Sequence, residues 1–499
     1  MTTAIVAVVM VEAAVRVVDG YGLTSIRLVS RTAAARASVS DAGKWLDPNQ
    51  AASYVATLPA APGVDRAWFT LMPEPRSAGP VDPDLDARYR TYPGFELASV
   101  YDWNLAFARN VVCEGDGSSH PYLAERLRHL DDLFVFDSQD GRPYPTYRFL
   151  RNARYPSGLV TDAFGWRGPD IPLNKPAGRV RIAFVGASTT AGAHADALSY
   201  PEYLGPWLER WAQSRGWPVT FDIVNAGREG VLSTSIAAIV RSELAPVRPD
   251  LVVYYEGTNQ FWPNGFTGRP LVAVLRRLDP GPLVEQYSAM AVRVRGLVDR
   301  GRSGREPLKP PVPVNWPGDL SETDPPLEDP RLPVQLPIIL RDLDDIRASL
   351  AATGGSLVLS SFMWLVYPDL VLDRDRDVLV FRELNERYFP FSYAHMRRFI
   401  DFENRAFAKY ARVHSLGFND EASVYPHDPR LFVDSVHFTP AGVKLQAWIA
   451  FQSLVPVLER ELAAKRLPSV DPGGRTAHPA FTGPPRRLMK LEEIRRACR

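Results

Sequence analysis

Two short segments of this 499-residue chain carry the groups that nucleophilic catalysis needs. Gly186-Ala187-Ser188-Thr189-Thr190-Ala191-Gly192 presents a serine hydroxyl among small residues, and Asp434-Ser435-Val436-His437 sets a carboxylate three residues before an imidazole. A serine alone is a poor nucleophile and needs a base to take its proton. His437 fits that role, with Asp434 fixing the ring tautomer and stabilising the imidazolium. Two further segments supply donors, Asn225-Ala226-Gly227-Arg228-Glu229-Gly230 and Gly257-Thr258-Asn259-Gln260. The backbone N–H groups of Ser188 and Gly227 with the Asn259 side-chain amide would converge on a tetrahedral oxyanion, where losing one donor typically costs about 10²–10³ in rate. His427-Asp428 is the rival His–Asp pair. The bland reading of Ser188 is a helix cap, and that of Asn225 is a turn residue.

Such groups need a scaffold that brings distant segments together. Val180–Val185, Phe221–Val224, Leu251–Tyr255 and Ser356–Ser360 are short apolar runs whose length and β-branched content fit buried strands of a parallel sheet. Helical stretches lie between them, at Tyr200–Arg215, Ser233–Leu244 and Ile338–Ala352. A last helix is expected over Thr439–Ala464, with Thr439 as N-cap and Pro440 at the first helical position. Alternating strands and helices read as an α/β fold, a three-layer sandwich around a central parallel sheet. In such sheets ligands bind at the carboxyl ends of the strands, which is where the Ser188, Gly227 and Asn259 segments fall.

The order and content of these segments resemble the SGNH (GDSL-type) hydrolase superfamily, whose signature blocks carry Ser, Gly, Asn and His. Ser188 matches the nucleophile, Gly227 and Asn259 the oxyanion positions, and Asp434 and His437 the Asp-x-x-His block. Asp162-Ala163-Phe164-Gly165-Trp166-Arg167-Gly168-Pro169 is similar to the lead-in of large bacterial members. The resemblance covers residues 160 to 465 and departs from the family at Ala187, where Asp is usual, and at Gln260, where a second Asp is usual. It implies a flavodoxin-like SGNH fold and a metal-independent serine esterase or deacylase acting on acyl esters of carbohydrates or lipids, without a cofactor. Two alternatives keep the fold: an O-acyltransferase passing the acyl group to a glycan, and an inactive glycan- or surface-binding protein. Trp262 and Trp364 follow strand ends and are candidate substrate-lining residues.

Composition bounds the rest. Lys plus Arg number 58 against 57 Asp plus Glu, a net charge of +1, which argues against a nucleic-acid partner. Two cysteines, Cys113 and Cys498, allow at most one internal disulfide and no Cys-built zinc site. Asp373-Arg-Asp375-Arg-Asp377 begins like a calcium loop but lacks the later Gly and Glu, so no metal site is expected. Proline is in excess at 45 residues, ten of them between Pro307 and Pro337, where an extended surface insertion or a lid over the site is expected. The sequence divides as 1–23, a hydrophobic helix or remnant anchor; 24–175, an accessory region of short strands and loops; 176–465, the catalytic domain with the Pro-rich insertion at 300–337; and 466–499, a solvated basic tail. In the first segment Glu12 and Arg16 are spaced to pair on one helix face. Weak membrane association, and an envelope or periplasmic location, follow if that helix is an anchor; otherwise the cytoplasm is expected. Oligomeric state leaves no trace in the sequence.

Overall fold

A computed structural model of the chain describes residues 2–18, 48–74, 101–113, 130–137, 145–155, 158–192, 197–261, 287–291, 313–367, 370–372, 391–477 and 487–498, with residues 23, 83, 87, 127, 266, 293 and 294. Helix α1 (Thr2–Val18) opens the chain. Strand β1 (Tyr101–Asn104) leads into helix α2 (Leu105–Cys113), followed by β2 (Asp132–Phe136) and β3 (Tyr147–Phe149). Then come β4 (Arg179–Gly186), the single turn α3 (Ser188–Ala191), α4 (Tyr200–Arg215), β5 (Thr220–Asn225), α5 (Ser233–Ile239) and β6 (Leu251–Tyr255). The second half adds α6 (Leu336–Ala351), β7 (Ser356–Ser360), α7 (Tyr393–Val413), β8 (Gly417–Asn419) and α8 (Pro440–Ala463). Strand β9 (Arg487–Lys490) and α9 (Leu491–Arg496) end the described chain.

Five of these strands form one parallel sheet in the order β5-β4-β6-β7-β8. In chain order that is 2-1-3-4-5, the flavodoxin-like arrangement, whose crevice opens between its first and third strands, here β4 and β6. Alternation along the strands feeds two cores. Val180, Ile182 and Phe184 of β4 face one core with α4 and α8, while Ala183 and Val185 face the other with α5, α6 and much of α7. The first core is aromatic: Trp207 meets Trp448 edge-on with ring centroids 5.1 Å apart, and Phe69 meets Trp448 at 5.6 Å. A three-layer α/β sandwich results.

The four expected strands are present, with β4 and β5 one or two residues longer at their ends. The helix expected over Ser233–Leu244 is α-helical to Ile239 and then widens into a π-turn over Val240–Leu244. Sequence reading did not find β8 or α7. Strand β8 is three residues at the sheet edge, beginning with glycine, and so carries no apolar run.

A second sheet, in the order β3-β1-β2-β9, corrects one expectation. From residues 24–175, read in the sequence as an accessory region of short strands and loops, Trp103, Tyr147 and Phe149 share a core with Val185 and Val252 of the main sheet. The segment 466–499 was expected to be a solvated tail. Instead β9 pairs antiparallel with β2, and Met489, Leu491 and Ile494 are buried. Cys113 at the end of α2 and Cys498 after α9 form a disulfide, locking this terminus to the second sheet. Earlier in the same segment, Ser469 Oγ donates to Asp250 (2.6 Å), which also accepts from the buried Lys175 ammonium (2.6 and 2.7 Å). Local sequence signals cannot show these pairings, because the partners lie 75 to 385 residues apart.

The described part of the Pro-rich insertion runs over the surface of α7. Glu322 pairs with Arg398, its carbonyl accepts from Arg405, and Trp316 lies against Phe399 and Phe402. Residues 300–312 and the Asp373–Asp377 run lie outside the described residues.

Candidate active site

The nucleophile turn is built from buried polar groups. Strand β4 stops at Gly186, and the N–H groups of Thr190 and Ala191 close on the Ala187 carbonyl at 3.0 and 2.8 Å, making α3 a single turn headed by Ser188. Thr190 Oγ1 donates to the Tyr255 carbonyl at 3.0 Å, joining the turn to β6. Asn225, at the end of β5, donates to the Thr190 carbonyl and to Ser199 Oγ, both at 2.8 Å. It holds a turn, as expected, and ties three loops together.

Arg167 from the lead-in segment completes this support. Its fully buried guanidinium bonds Glu202 at 2.9 Å, the Ala191 carbonyl at 2.9 Å and the Gly192 carbonyl. Those two carbonyls end the nucleophile turn. Glu202 in turn accepts from the Ser199 N–H (2.6 Å) and hydroxyl (2.7 Å), capping α4. Desolvated charges of this kind persist only when paired.

The base arrives from the far end of the chain on a tight hairpin. Val433 N–H bonds the His437 carbonyl at 2.8 Å, and Thr439 N–H bonds the Leu431 carbonyl at 2.9 Å. Thr439 then caps α8 through Gly442 N–H at 3.3 Å. Asp434 uses its two oxygens differently. Oδ1 accepts the backbone N–H groups of Val436 (2.9 Å) and His437 (2.7 Å), while Oδ2 lies 2.7 Å from His437 Nδ1. His437 Nε2 lies 2.7 Å from Ser188 Oγ. An ionised carboxylate only accepts, so Nδ1 carries the ring proton and the Nε2 lone pair faces the serine hydroxyl. Burial opposes ionisation of Asp434, but the His437 charge and its hydrogen bond, with the two amides, outweigh it and hold the carboxyl below its ordinary value.

Ser188, His437 and Asp434 therefore form one continuous relay. The rival pair does not: His427 stacks on Tyr367 with centroids 4.6 Å apart, and Asp428 binds Tyr54 and Arg430.

One expected donor is corrected. The Gly227 N–H is committed to Asn225 Oδ1 at 3.0 Å, so it is not available to an oxyanion. Gly227 is needed for a different reason: a Cβ there would meet Ala191 N at 2.7 Å, so only glycine lets this segment pass the nucleophile turn. Sequence reasoning took the first glycine of the segment, although Asn-x-Gly is a signature for an Asx-type turn that consumes that N–H. Gly230 is the other glycine of this segment. It sits at the exposed end of the segment with φ +69°, a conformation that favours glycine, and a Cβ there would meet Tyr147 Oη at 2.6 Å. Its neighbour Val231 accepts from Asn259 Nδ2 at 3.0 Å. That bond uses one of the two amide hydrogens of Asn259 and leaves the other for a ligand.

The Asn259 loop is itself held from behind. Glu256 is fully buried and accepts from the N–H groups of Asn259 (2.8 Å) and Thr258 (3.1 Å); burial nevertheless pushes its carboxyl up to about 7. The unusual Gln260 is buried and accepts from Ser233 N–H at 2.6 Å, capping α5. The second sheet braces the Asn225–Gly230 segment: Glu229 N–H donates to Tyr101 Oη at 3.3 Å, and buried Arg228 bonds the Tyr147 carbonyl (3.2 Å) and Glu243 (2.9 Å).

Trp364 is buried and lines a cavity of about 350 Å³ with Phe362, Tyr425, His427 and Phe432, whose walls do not include Ser188 or His437. Leu365 N–H bonds the Ser435 carbonyl at 3.0 Å, so this wall and the His437 loop are joined. Trp262 lies outside the described residues. Among the described residues no group of three or more His, Cys, Asp or Glu side chains is placed to hold a metal ion.

No family model and no curated protein matches the chain. Solved structures do align with it. An acetylxylan esterase, Axe2 from Geobacillus stearothermophilus, is 15% identical, with a TM-score of 0.31 over 57% of this chain and 96% of its own. TesA is 15% identical, with a TM-score of 0.30 over 56% of this chain and 99% of its own. A putative lipolytic protein of the G-D-S-L family from Desulfitobacterium hafniense DCB-2 is 11% identical, with a TM-score of 0.28 over 55% and 99%.

Proposed function

We propose that the protein is a serine esterase that cleaves acyl esters through an acyl-enzyme on Ser188. The observation that carries this reading is the unbroken relay from Ser188 Oγ through His437 to Asp434, with 2.7 Å at each step. In the proposed reaction His437 Nε2 takes the Ser188 proton as Oγ bonds the ester carbonyl carbon. The oxyanion is met by the Ser188 N–H, the free Asn259 amide hydrogen and the Gly230 N–H. Return of the proton to the leaving alcohol breaks the ester bond. Water, deprotonated by the same ring, then releases the acid and restores Ser188. The residues matching the SGNH blocks support acyl esters of carbohydrates or lipids as the substrate class, and Trp364 is the proposed apolar wall nearest the His437 loop.

The test is steady-state turnover of nitrophenyl acetate and butyrate by wild type and by Ser188→Ala. Wild-type turnover with a loss of at least about 10³-fold in the variant is expected. Equal rates in the two proteins would remove Ser188 from the mechanism. Absence of turnover by wild type on these and on acetylated sugars would favour the inactive binding protein.

A further inference from the structure

Helix α1 is exposed in a way that no packed helix is. Val8, Val9, Met10 and Val11 are consecutive, each turned about 100° from the last, so together they cover a full turn. Their exposures are 54, 61, 67 and 48%. Val6 before them and Val17 and Val18 after them are exposed as well. A partner protein or a second copy seats one stripe of a helix, the residues repeating every three or four positions. Apolar surface all the way round asks for a solvent instead.

The polar groups of α1 mark where that solvent ends. Among the described side chains its only charged ones, Glu12 and Arg16, pair at 2.8 Å, and both are spent on the segment that follows Gln286. Glu12 accepts from Ser288 Oγ (2.8 Å) and from the N–H groups of Ala289 (2.8 Å) and Met290 (3.0 Å), while Arg16 donates to the Tyr287 carbonyl (2.7 Å). Ahead of Glu12, residues Thr2–Val11 form helix with no charged residue, about 15 Å at 1.5 Å per residue. That is roughly half of the hydrocarbon core of a bilayer, about one leaflet. Directly after the clamped segment, Ala291–Arg305 holds five arginines (Arg293, Arg295, Arg300, Arg302 and Arg305) against one acidic residue, Asp299. Basic clusters beside an inserted helix are drawn to anionic headgroups. The Cys113–Cys498 disulfide fits the oxidising side of a cell membrane.

We infer that α1 ahead of Glu12 inserts into a lipid bilayer, with the Glu12–Arg16 pair and its clamped segment at the interface. The occupant of the exposed helix is therefore lipid, and the catalytic sheet is held at a membrane surface.

The experiment is density-gradient flotation of the full chain with vesicles of phosphatidylethanolamine containing one quarter phosphatidylglycerol, and with phosphatidylcholine vesicles. Wild type floats with both, several-fold more tightly with the anionic ones. Val8→Asp with Met10→Asp binds at least about 50-fold more weakly, as expected for carboxylates placed in hydrocarbon, with an unchanged thermal unfolding midpoint. Wild type left at the bottom of the gradient with both vesicle types would overturn the proposal. So would equal binding by the variant. A lipid-free dimer that the variant dissolves and vesicles do not would make a second copy the occupant and overturn it as well.

Discussion

Asp434 shows how much one side chain is asked to do. Its Oδ1 shapes the loop by accepting two backbone N–H groups, and its Oδ2 orients the base. The two tasks separate by substitution. Asp434→Asn keeps an oxygen for the backbone but presents either a weaker acceptor or an amide donor to Nδ1, which favours the tautomer whose Nε2 carries the proton. Its kcat is expected to fall by about 10³–10⁴-fold while the fold is retained. Asp434→Ala should add a stability loss of about 1–3 kcal/mol, because the buried N–H groups lose their acceptor. Comparing kcat and the unfolding midpoint for the pair checks this; equal stability would mean that Oδ1 shapes nothing. At the other side of the reacting carbon, Asn259→Ala should lower kcat by about 10²–10³ with little change in KM, since the oxyanion exists only past the ground state. A variant raising only KM would move Asn259 from the oxyanion to ground-state binding.

Between residue and molecule stands the nucleophile turn, a single helical turn that cannot hold its own geometry. Arg167 holds its last two carbonyls, Asn225 a third, and Thr190 ties it to β6. Removing Arg167 leaves Glu202 buried without its cation, so Arg167→Leu should cost about 3–5 kcal/mol. The double variant Arg167→Leu with Glu202→Leu removes both charges. Stability should recover in part, but kcat should not, because the Ala191 and Gly192 carbonyls remain without a donor. Denaturant unfolding together with kcat at fixed substrate reads both; full recovery of kcat in the double variant would show that Arg167 does not position the turn.

At this same scale the sequence was legible where local signals sufficed. Apolar runs announced β4 to β7, Thr439-Pro440 announced the start of α8, and the Ser188 and Asp434–His437 segments held the side chains that meet in one hydrogen-bonded relay. What stayed hidden depended on partners distant in the chain. Asn225 Oδ1 takes the Gly227 N–H, while Arg167 reaches the Ala191 carbonyl across two loops. Strand β9 has only four residues, two of them charged, and becomes a strand because β2 offers it an edge.

Taken whole, the molecule places its second sheet directly behind the Asn225–Gly230 segment, through Tyr101, Tyr147 and Arg228, and staples that sheet to the C-terminal segment by the disulfide. The interior also stores protons. Burial raises Asp162 to about 8, Glu256 to about 7 and Glu421 to about 8, and raises Glu403 with help from the Glu256 charge. For a raised carboxyl the folded state binds the proton more tightly than the unfolded chain. Its contribution is complete below the ordinary carboxyl range, about 4, and is lost as pH rises towards 7–8. Asp471, lowered to about 2, and Asp434 act in the opposite sense, losing their contribution below about 4. The unfolding midpoint is thus expected to be highest near about pH 5 and to fall by several degrees by about pH 8.5. A midpoint that rises across that interval would mean that these carboxyls are ionised in the folded protein.

Reactivity of Ser188 as a nucleophile is read most directly by mass spectrometry of the intact protein after reaction with a fluorophosphonate, followed by peptide mapping. One adduct is expected, on the peptide containing Ser188, absent from Ser188→Ala and strongly slowed in His437→Ala. An adduct of equal yield in Ser188→Ala, or one mapped to another serine, would contradict this expectation.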